Sequence, residues 1–224
     1  KLLKKEAPDL VLTYSIKPNI YIGLLCRKTK IPYYANVQGL GTAFQKPVLI
    51  SLVTVLYRIA FQNVQRVFFE NEENAWEFRE RKILSADRQV VLSGAGINLE
   101  RYQMAPYPNH KRMHFLYLGR IMKEKGMDEL FYTVRRLKKE NEDFILDLVG
   151  FFEEEYKDQV EELENSGIAH FYGFQSDPRM FYIEADCVVL PSYHEGMSNV
   201  LLEAAATGRP VITSNIPGCR ESVE

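Results

Sequence analysis

Cysteine is scarce in this sequence, which has three (Cys26, Cys187 and Cys219) among 224 residues. An odd, widely spaced set without metal-ligand spacing excludes a disulfide framework and a structural zinc site, and it indicates free thiols in a reducing compartment. Long hydrophobic runs are also missing, because the longest, residues 48–61, is interrupted by Ser, Thr, Tyr and Arg58. A run this short and this polar cannot span a bilayer.

A strong overall charge is absent too, since the net charge is −2 at pH 7. With no stripe of alternating aromatic and basic residues, a near-balanced charge argues against a nucleic-acid partner. The remaining composition, 46% hydrophobic and 26% charged, is that of a globular protein rather than a disordered one. The length allows one large domain or two modest ones.

The charge is unevenly distributed, with a net +6 over residues 1–105 and −8 over residues 106–224. The change falls at a Pro-rich, polar stretch, residues 105–112, which we interpret as an interdomain linker, an ordinary surface loop being the alternative. We therefore predict domains at 1–105 and 106–224. The chain begins KLLKKEAPDLVLTY without Met and ends PGCRESVE just after a strand and a loop, so we expect a segment of a longer protein with both domains incomplete.

Short apolar runs alternate with helical patterns along the whole chain. Strands are predicted at 10–14, 31–37, 67–69, 90–92, 115–118, 144–149, 170–172, 188–190 and 211–213. Helices are predicted at 19–27, 48–62, 72–82, 127–140, 155–165, 178–184 and 199–207. Strict alternation with β-branched strands predicts an α/β fold of two Rossmann-like, parallel-sheet domains facing a cleft. Ligands of such sheets lie beyond the carboxyl ends of the strands.

Residues 191–211, PSYHEGMSNVLLEAAATGRPV, contain the candidate site with the strongest sequence signal. A strand ends before this segment, and Gly196 lets a ligand approach the backbone closely. Ser198 is predicted to cap the helix that follows, whose first N–H groups, from Ser198 to Leu201, favour phosphate at the positive end of the helix dipole. Glu203 lies within this otherwise apolar helix, where a carboxylate needs hydrogen-bond donors such as the two hydroxyls of a ribose. A structural ion pair with an unidentified base is the alternative for Glu203, while its position does not fit a capping box.

A second candidate site is LGRIMKEKG, residues 118–126, at the predicted carboxyl end of another strand. Arg120 offers a planar fork for phosphate oxygens, and Lys125 offers a mobile point charge. The alternative is that both side chains are simply solvated. Together with the helix start at Ser198, the two cations predict a two-sided diphosphate site. No Asp-x-Asp pair is available to hold a divalent ion, so we expect no metal and no cofactor.

These segments resemble the donor-binding signature of family 4 retaining glycosyltransferases, which have the GT-B fold. The resemblance rests on Glu195 and Glu203 within SYHEGMSNVLLEAAATGRPVI and on GRIMKEKG. In the first half, TYSIKPNIYIGLLCR, IPYYANVQGLGTAF and FFENEEN resemble the bacterial capsule and O-antigen branch of that family. The resemblance covers essentially the whole chain.

The resemblance implies a metal-independent enzyme that moves a hexosyl or N-acetylhexosaminyl group from a nucleotide-sugar with retention at the anomeric carbon. It implies that Glu195 contacts sugar hydroxyls, that Glu203 contacts the ribose, and that Arg120 and Lys125 hold the diphosphate. The remaining substrate-binding residues that it implies are Gly196, Met197, Ser198 and Asn199 beside the diphosphate, Gly173, Phe174 and Gln175 around a base expected to be uracil, and Gly39 and Gly41 in a loop facing donor and acceptor. His194, next to Glu195, is a further candidate for contact with the sugar.

One position departs from the family pattern. Many relatives have a His in the loop after the second strand, where this chain has Gln38, which cannot act as a general base. A retaining mechanism does not require one, because the leaving phosphate can take the proton of the acceptor. Two other functions stay open: an epimerase or hydrolase of similar fold, and a non-catalytic nucleotide-sugar-binding subunit.

The basic first half suggests an anionic acceptor, such as a polyprenyl-diphosphate-linked glycan, or a membrane surface. The apolar stretch at residues 48–62 could serve the same contact, although we favour a core helix for it. We therefore expect a cytoplasmic protein of cell-surface polysaccharide biosynthesis, with peripheral attachment to the inner face of the plasma membrane as an option.

Overall fold

The computed structural model describes residues 2–41, 44, 47–140 and 142–223. The chain divides into two compact units, Lys1–Ala95 and Gly96–Glu224, and each has its own parallel β-sheet and hydrophobic core. Among the described residues, no helix has both the length and the apolarity needed to cross a membrane.

The first unit is a parallel sheet of four strands that are neighbours in chain order, β1-β2-β3-β4. The strands are β1 (Val11–Tyr14), β2 (Tyr33–Val37), β3 (Val67–Phe69) and β4 (Gln89–Val91). The helices are α1 (Leu2–Glu6), α2 (Ile16–Thr29), α3 (Pro47–Ala60) and α4 (Glu72–Glu80). All strands and helices predicted in this half are confirmed, whereas the short helix α1 was not predicted. The predicted loop after β2 is described only in part, because residues 42, 43, 45 and 46 lie outside the described residues.

The second unit is a five-stranded parallel sheet with the order β7-β6-β5-β8-β9. Its strands are β5 (Met113–Ile121), β6 (Phe144–Phe152), β7 (Ala169–Phe171), β8 (Cys187–Leu190) and β9 (Val211–Thr213). Its helices are α5 (Met127–Lys139), α6 (Lys157–Asn165), α7 (Arg179–Glu184) and α8 (Asn199–Ala206). The strand order reverses between β5 and β8, and such a switch point is where open α/β sheets bind ligands. Every element predicted here is confirmed, and β5 and β6 continue three residues beyond their predicted ends.

Local sequence signals explain where two helices begin. The backbone N–H of Asn74 donates to Asn71 Oδ1 at 2.8 Å at the start of α4. The backbone N–H of Leu201 donates to Ser198 Oγ at 3.4 Å at the start of α8. The cap at Ser198 was predicted, and both caps satisfy amides that have no acceptor within the helix.

The Pro-rich stretch interpreted as a linker lies within the second unit, because the division between the units comes earlier, after Ala95. The guanidinium of the buried Arg209 donates to the carbonyls of Ala105 and Pro106 at 2.9 and 2.6 Å. The hydroxyl of Tyr107 donates to the carbonyl of Asp186 at 2.7 Å. Arg209 therefore satisfies the backbone carbonyls of Ala105 and Pro106. These contacts fix the Pro-rich stretch to the rest of the second unit, and we call the stretch a strap.

Candidate active site

The switch point between β5 and β8 is formed by two loops that touch backbone to backbone. Gly126 ends the turn after β5 with a φ of +74°, and a Cβ there would lie 2.2 Å from the carbonyl oxygen of Pro191 in the loop after β8. The backbone N–H of Tyr193 donates to the carbonyl of Glu124 at 2.9 Å. Only glycine permits both this conformation and this approach, so Gly126 positions the two loops.

Replacing Gly126 by Ala is therefore expected to lower the free energy of unfolding by about 3 kcal/mol, from left-handed backbone strain plus the clash with Pro191. Gly167→Ala is the matched control, because Gly167 has a φ of +66° with open space around its Cβ position. That control carries only the backbone strain, about 1 kcal/mol. Urea unfolding of both variants measures the difference, and equal losses would mean that the two loops can separate freely.

The contact between the loops brings Lys125 and Glu195 together. Lys125 Nζ donates to Glu195 Oε1 at 2.5 Å, and the two side chains are only 15% and 14% exposed. The residues had been predicted to contact diphosphate and sugar respectively, and the structure joins them in a largely buried ion pair. A cation and a carboxylate held this close can face the negative and the hydroxyl parts of one ligand.

Arg120 has a different partner. It lies on β5, and its guanidinium donates to Glu153 Oε2 at 2.7 Å at the surface, where Arg120 is 47% exposed. Its backbone carbonyl accepts from the hydroxyl of the buried Tyr117 at 2.6 Å. Strand β5 ends at Ile121 and the turn Lys123–Lys125 follows it, so Arg120 and Lys125 are presented by a strand and a turn rather than by one loop.

Two paired glycines leave the backbone uncovered near the carboxyl ends of β5 and β6, next to Arg120. Gly119 on β5 pairs with Gly150 on β6, and a Cβ on Gly150 would lie 1.8 Å from the carbonyl oxygen of Gly119. No side chain can therefore stand over the backbone at this point. This uncovered backbone lies between Arg120, on β5, and the end of β7, because β6 is the strand between β5 and β7.

The predicted base-binding residues follow β7 directly. Gly173 has a φ of +66°, and its carbonyl accepts from the backbone N–H of Gly150 at 2.9 Å. The ring of Phe174 is exposed and meets Phe151 edge to face, with 6.3 Å between ring centroids. The side-chain amide of Gln175 donates to the carbonyl of Tyr172 at 2.7 Å. The edge therefore presents an exposed aromatic ring on which a flat base could stack.

Glu203 has hydrogen-bond donors within the protein. The hydroxyl of Tyr182, on α7, donates to Glu203 Oε2 at 2.7 Å, and Tyr102 meets Tyr182 edge to face at 6.0 Å. Burial and the Glu203 charge raise the pKa of Tyr102 to about 12, and the same two causes raise that of Tyr182 well above its usual value. The requirement for donors was inferred correctly, but a tyrosine, not a base, meets it. Contact between Glu203 and a ribose stays a prediction.

Residues near the end of the described chain contact the loop before α8 and hold it in place. The backbone N–H of Ser198 donates to the carbonyl of Gly218 at 2.9 Å, and that of Gly218 to Glu221 Oε2 at 2.6 Å. Gly218 has a φ of +81°, and a Cβ there would lie 2.3 Å from the carbonyl oxygen of Gly196. The hydroxyl of Ser222 contacts the Met197 sulfur at 3.2 Å. Sequence reasoning missed this support, of which the Pro-Gly pair at 217–218 was the only signal.

Two of the four amides predicted to face a ligand are already bonded within the protein. The N–H of Ser198 goes to Gly218, and the N–H of Leu201 goes to the Ser198 side chain. The expectation that all four amides, from Ser198 to Leu201, are available to a phosphate was therefore wrong. The amides of Asn199 and Val200 stay as candidates, because the first turn of a helix supplies them no acceptor.

The other predicted site residues lie at loop positions. His194 is exposed beside Glu195, and Gln38 is exposed just after β2. Gly39 follows Gln38, and Gly41 has a φ of +63° with the Ile16 side chain 3.0 Å from its Cβ position. Gln38, Gly39 and Gly41 belong to the first unit. Among the described residues, no group of three or more His, Cys, Asp and Glu side chains is arranged to hold a metal ion.

Comparison with known families matches most of the chain. Residues 101–224 match the family model "Glycosyl transferases group 1", and residues 1–71 match "Glycosyl transferase 4-like". A relative from Campylobacter jejuni, N,N'-diacetylbacillosaminyl-diphospho-undecaprenol alpha-1,3-N-acetylgalactosaminyltransferase, is 30% identical over 100% of this chain and 63% of its own length. The capsular polysaccharide biosynthesis glycosyltransferase CapM of Staphylococcus aureus is 31% identical over 99% of this chain and 62% of its own length. The chain thus spans about three fifths of these two relatives.

Solved structures share the fold. HepE of Anabaena, solved with UDP and glucose, superposes with a TM-score of 0.81 at 17% identity over 100% of this chain and 63% of that one. Sucrose-phosphate synthase of Thermosynechococcus elongatus superposes with a TM-score of 0.79 at 20% identity over 97% of this chain and 58% of that one. The predicted GT-B fold class and the predicted family are confirmed. With its second unit matched by the family model, this chain belongs to the group 1 glycosyl transferases.

Proposed function

We propose that the protein transfers a sugar from a nucleotide-sugar, with UDP as the nucleotide, to a lipid-linked glycan with retention at the anomeric carbon. The observation that carries this proposal is the largely buried Lys125–Glu195 pair at the switch point of the second sheet. The names of the two curated relatives support a role in bacterial cell-surface polysaccharide synthesis, and that of the Campylobacter enzyme supports a polyprenyl-diphosphate acceptor. The proposed location is the cytoplasm or the inner face of the plasma membrane.

In this proposal the donor lies along the carboxyl edge of the second sheet. The base stacks on Phe174, which is exposed there. The diphosphate faces Lys125, Arg120 and the amides of Asn199 and Val200, and Glu195 accepts from sugar hydroxyls. Glu203, which already accepts from the hydroxyl of Tyr182, is proposed to accept from the ribose as well. His194 and the loop of Gln38, Gly39 and Gly41 are proposed to contact sugar and acceptor.

The chemistry then needs stabilisation of a leaving group. The bond between the anomeric carbon and the diphosphate oxygen breaks, and the acceptor hydroxyl oxygen bonds to the same carbon on the same face. The hydroxyl proton passes to the departing diphosphate oxygen, so Gln38 need not act as a base. Negative charge grows on the diphosphate as it leaves, and the two cations and helix amides stabilise it without reorganising. We propose that this arrangement takes the place of a divalent metal.

The test uses the intact protein with UDP- and GDP-sugars and a polyprenyl-diphosphate-linked glycan. A glycosylated lipid is expected with a UDP-sugar in the presence of EDTA, and the anomeric configuration of its new linkage, read by NMR, should match that of the donor. Product that forms at the same rate without acceptor would point instead to an epimerase or hydrolase. Binding of UDP-sugars without turnover, whatever the acceptor, would point to a non-catalytic subunit.

A further inference from the structure

Tyr182, on helix α7, is a buried hydrogen-bond donor next to the proposed nucleotide-sugar site. It is 0% exposed, and its hydroxyl donates to Glu203 Oε2 at 2.7 Å. The ring packs in a buried cluster with Val188 and Ala204, and Tyr102 meets it edge to face. Ala204 directly follows Glu203 on α8, so the core fixes the phenol relative to the carboxylate that it contacts.

Tyr182 satisfies Glu203 without cancelling its charge. Burial and the negative charge of Glu203 raise the pKa of Tyr182 well above its usual value, so the phenol keeps its proton at neutral pH. A neutral hydroxyl on one carboxylate oxygen fixes the orientation of the carboxylate, whereas a buried cation would also neutralise it. The carboxylate therefore stays a strong acceptor for a further hydroxyl, because hydrogen bonds to an ionised group are about twice as strong as those between neutral groups.

Glu203 lies one helical turn from the amides that are proposed to face the diphosphate. It comes four positions after Asn199 on α8, and the side chains of a helix lean toward its N-terminus. One turn rises about 5.4 Å, a separation that the ribose ring of a nucleotide can bridge between its phosphate and its hydroxyls. In the proposed binding mode the ribose hydroxyls therefore lie near the Glu203 carboxylate.

We infer that Tyr182 is a positioning residue, and that through Glu203 it makes the site select nucleotides with a ribose over those with a 2′-deoxyribose. Its hydroxyl holds the carboxylate in the orientation that accepts from the two ribose hydroxyls. A 2′-deoxynucleotide lacks one of these donors and leaves a half-buried carboxylate without a partner. Sugars activated by a deoxynucleoside diphosphate are therefore poor substrates. The inference rests on the proposed function, since it requires a UDP-sugar to bind along this edge.

Calorimetric titration of the intact protein with UDP and with 2′-deoxy-UDP measures this selectivity without any sugar transfer. We expect UDP to bind about 10–100-fold more tightly, the scale of one hydrogen bond to a charged group. Tyr182→Phe keeps the ring and removes only the hydroxyl, and it should reduce the ratio of the two affinities at least about fivefold, chiefly by weakening UDP. Glu203→Gln should reduce the ratio as well. Adding Tyr182→Phe to Glu203→Gln should change it by less than about twofold, because the tyrosine acts through the carboxylate.

Tyr156→Phe is the matched control. Tyr156 is also a buried tyrosine of the second unit, and its hydroxyl donates to Asp128 Oδ1 at 2.8 Å, a carboxylate on another helix. Both variants lose one such bond, so their thermal unfolding midpoints should fall by similar amounts. Only Tyr182→Phe should change the ratio of the UDP and 2′-deoxy-UDP affinities.

Sugar transfer gives a second readout. Tyr182→Phe should raise KM for the UDP-sugar at least about fivefold while kcat changes by less than about twofold, because the ribose does not react and is held equally in the ground state and the transition state. A loss of kcat as large as that of KM would overturn a role confined to the ribose.

Equal binding of UDP and 2′-deoxy-UDP by the unchanged protein would overturn the inference and leave the proposed function standing. Equal weakening of both ligands by Tyr182→Phe would also overturn it, since a tyrosine that only packs gives that result. An unchanged ratio in Glu203→Gln, which leaves the buried cluster intact, would do the same. An absence of UDP binding altogether would instead overturn the proposed function and this inference with it.

Discussion

Replacing Glu195 by Gln is expected to reduce sugar transfer by about 100-fold or more, while UDP binds as tightly as before or more tightly. The loss follows because a charged acceptor of the sugar hydroxyls becomes a neutral amide, and a single such contact in a water-excluded site is worth about that factor. UDP should not weaken, because the carboxylate that partly neutralises Lys125 at 2.5 Å is removed. Initial rates of transfer and calorimetric titration with UDP measure the two effects.

Gln is chosen because its amide oxygen can still accept from Lys125, so the loop keeps its shape. Alanine would leave the largely buried ammonium without a partner and confuse stability with function. Glu129→Gln is the matched control, since Glu129 accepts from the Tyr193 hydroxyl in the same loop but is not predicted to contact the donor. It should keep most activity. A parallel loss of transfer and of UDP affinity in Glu195→Gln would argue against contact between Glu195 and the sugar.

The strands and helices could be predicted from sequence because the physical signal is local. A parallel strand buried on both faces is a largely apolar run, as in β6, where seven of nine residues are buried and Asp147 is the one charged residue among them. The caps at Asn71 and Ser198 are equally local. Helix α1 escaped prediction because five residues are too few for a helical period to emerge.

The unit boundary could not be predicted from composition. Proline and polar residues at 105–112 suggest a flexible connection, but whether a stretch is held depends on distant donors. Here the donor is Arg209, about a hundred residues later in the chain. The guanidinium and the hydroxyl of Tyr107 hold the stretch as a strap on the second unit. The sequence of the strap does not indicate that Arg209 and Asp186 are its partners.

The candidate site shows the same division between local and distant information. Sequence predicts that the ends of β5 and β8 carry chemistry, since both are followed by charged, glycine-containing loops. It does not predict that Lys125 and Glu195 pair, because the approach of the loops depends on the contact of Gly126 with Pro191. Likewise, the hydroxyl that donates to Glu203 comes from Tyr182 on another helix, and no motif marks that tyrosine.

Removing both proposed diphosphate cations should separate UDP from uridine. In the double substitution Arg120→Ala and Lys125→Ala, UDP affinity is expected to fall by about 100-fold or more, because two charge-assisted contacts at about 1.5–3 kcal/mol each are lost. Uridine, which has no phosphate, should change by less than about threefold. Calorimetric titration of both ligands into the intact protein, at two salt concentrations, measures the difference.

The single substitutions rank the two cations. Lys125→Ala should weaken UDP more than Arg120→Ala, because Lys125 is 15% exposed and Arg120 is 47% exposed, so water screens the arginine more. Loss of Lys125 also leaves Glu195 unpaired, and its charge then repels the diphosphate. Glu153→Gln should leave UDP affinity unchanged or raise it, because it releases the guanidinium that Glu153 engages at 2.7 Å.

Lys123→Ala is the matched control for these substitutions, because Lys123 lies in the same short turn as Lys125 but is 67% exposed and approaches Asp128 instead. Its effect on UDP should stay below about twofold, the scale of a screened surface charge. Equal weakening of UDP and uridine in the double variant would mean that the turn has been distorted. Unchanged UDP affinity would mean that the diphosphate lies elsewhere. In either case the cations at the end of β5 would not be the groups that stabilise the leaving diphosphate.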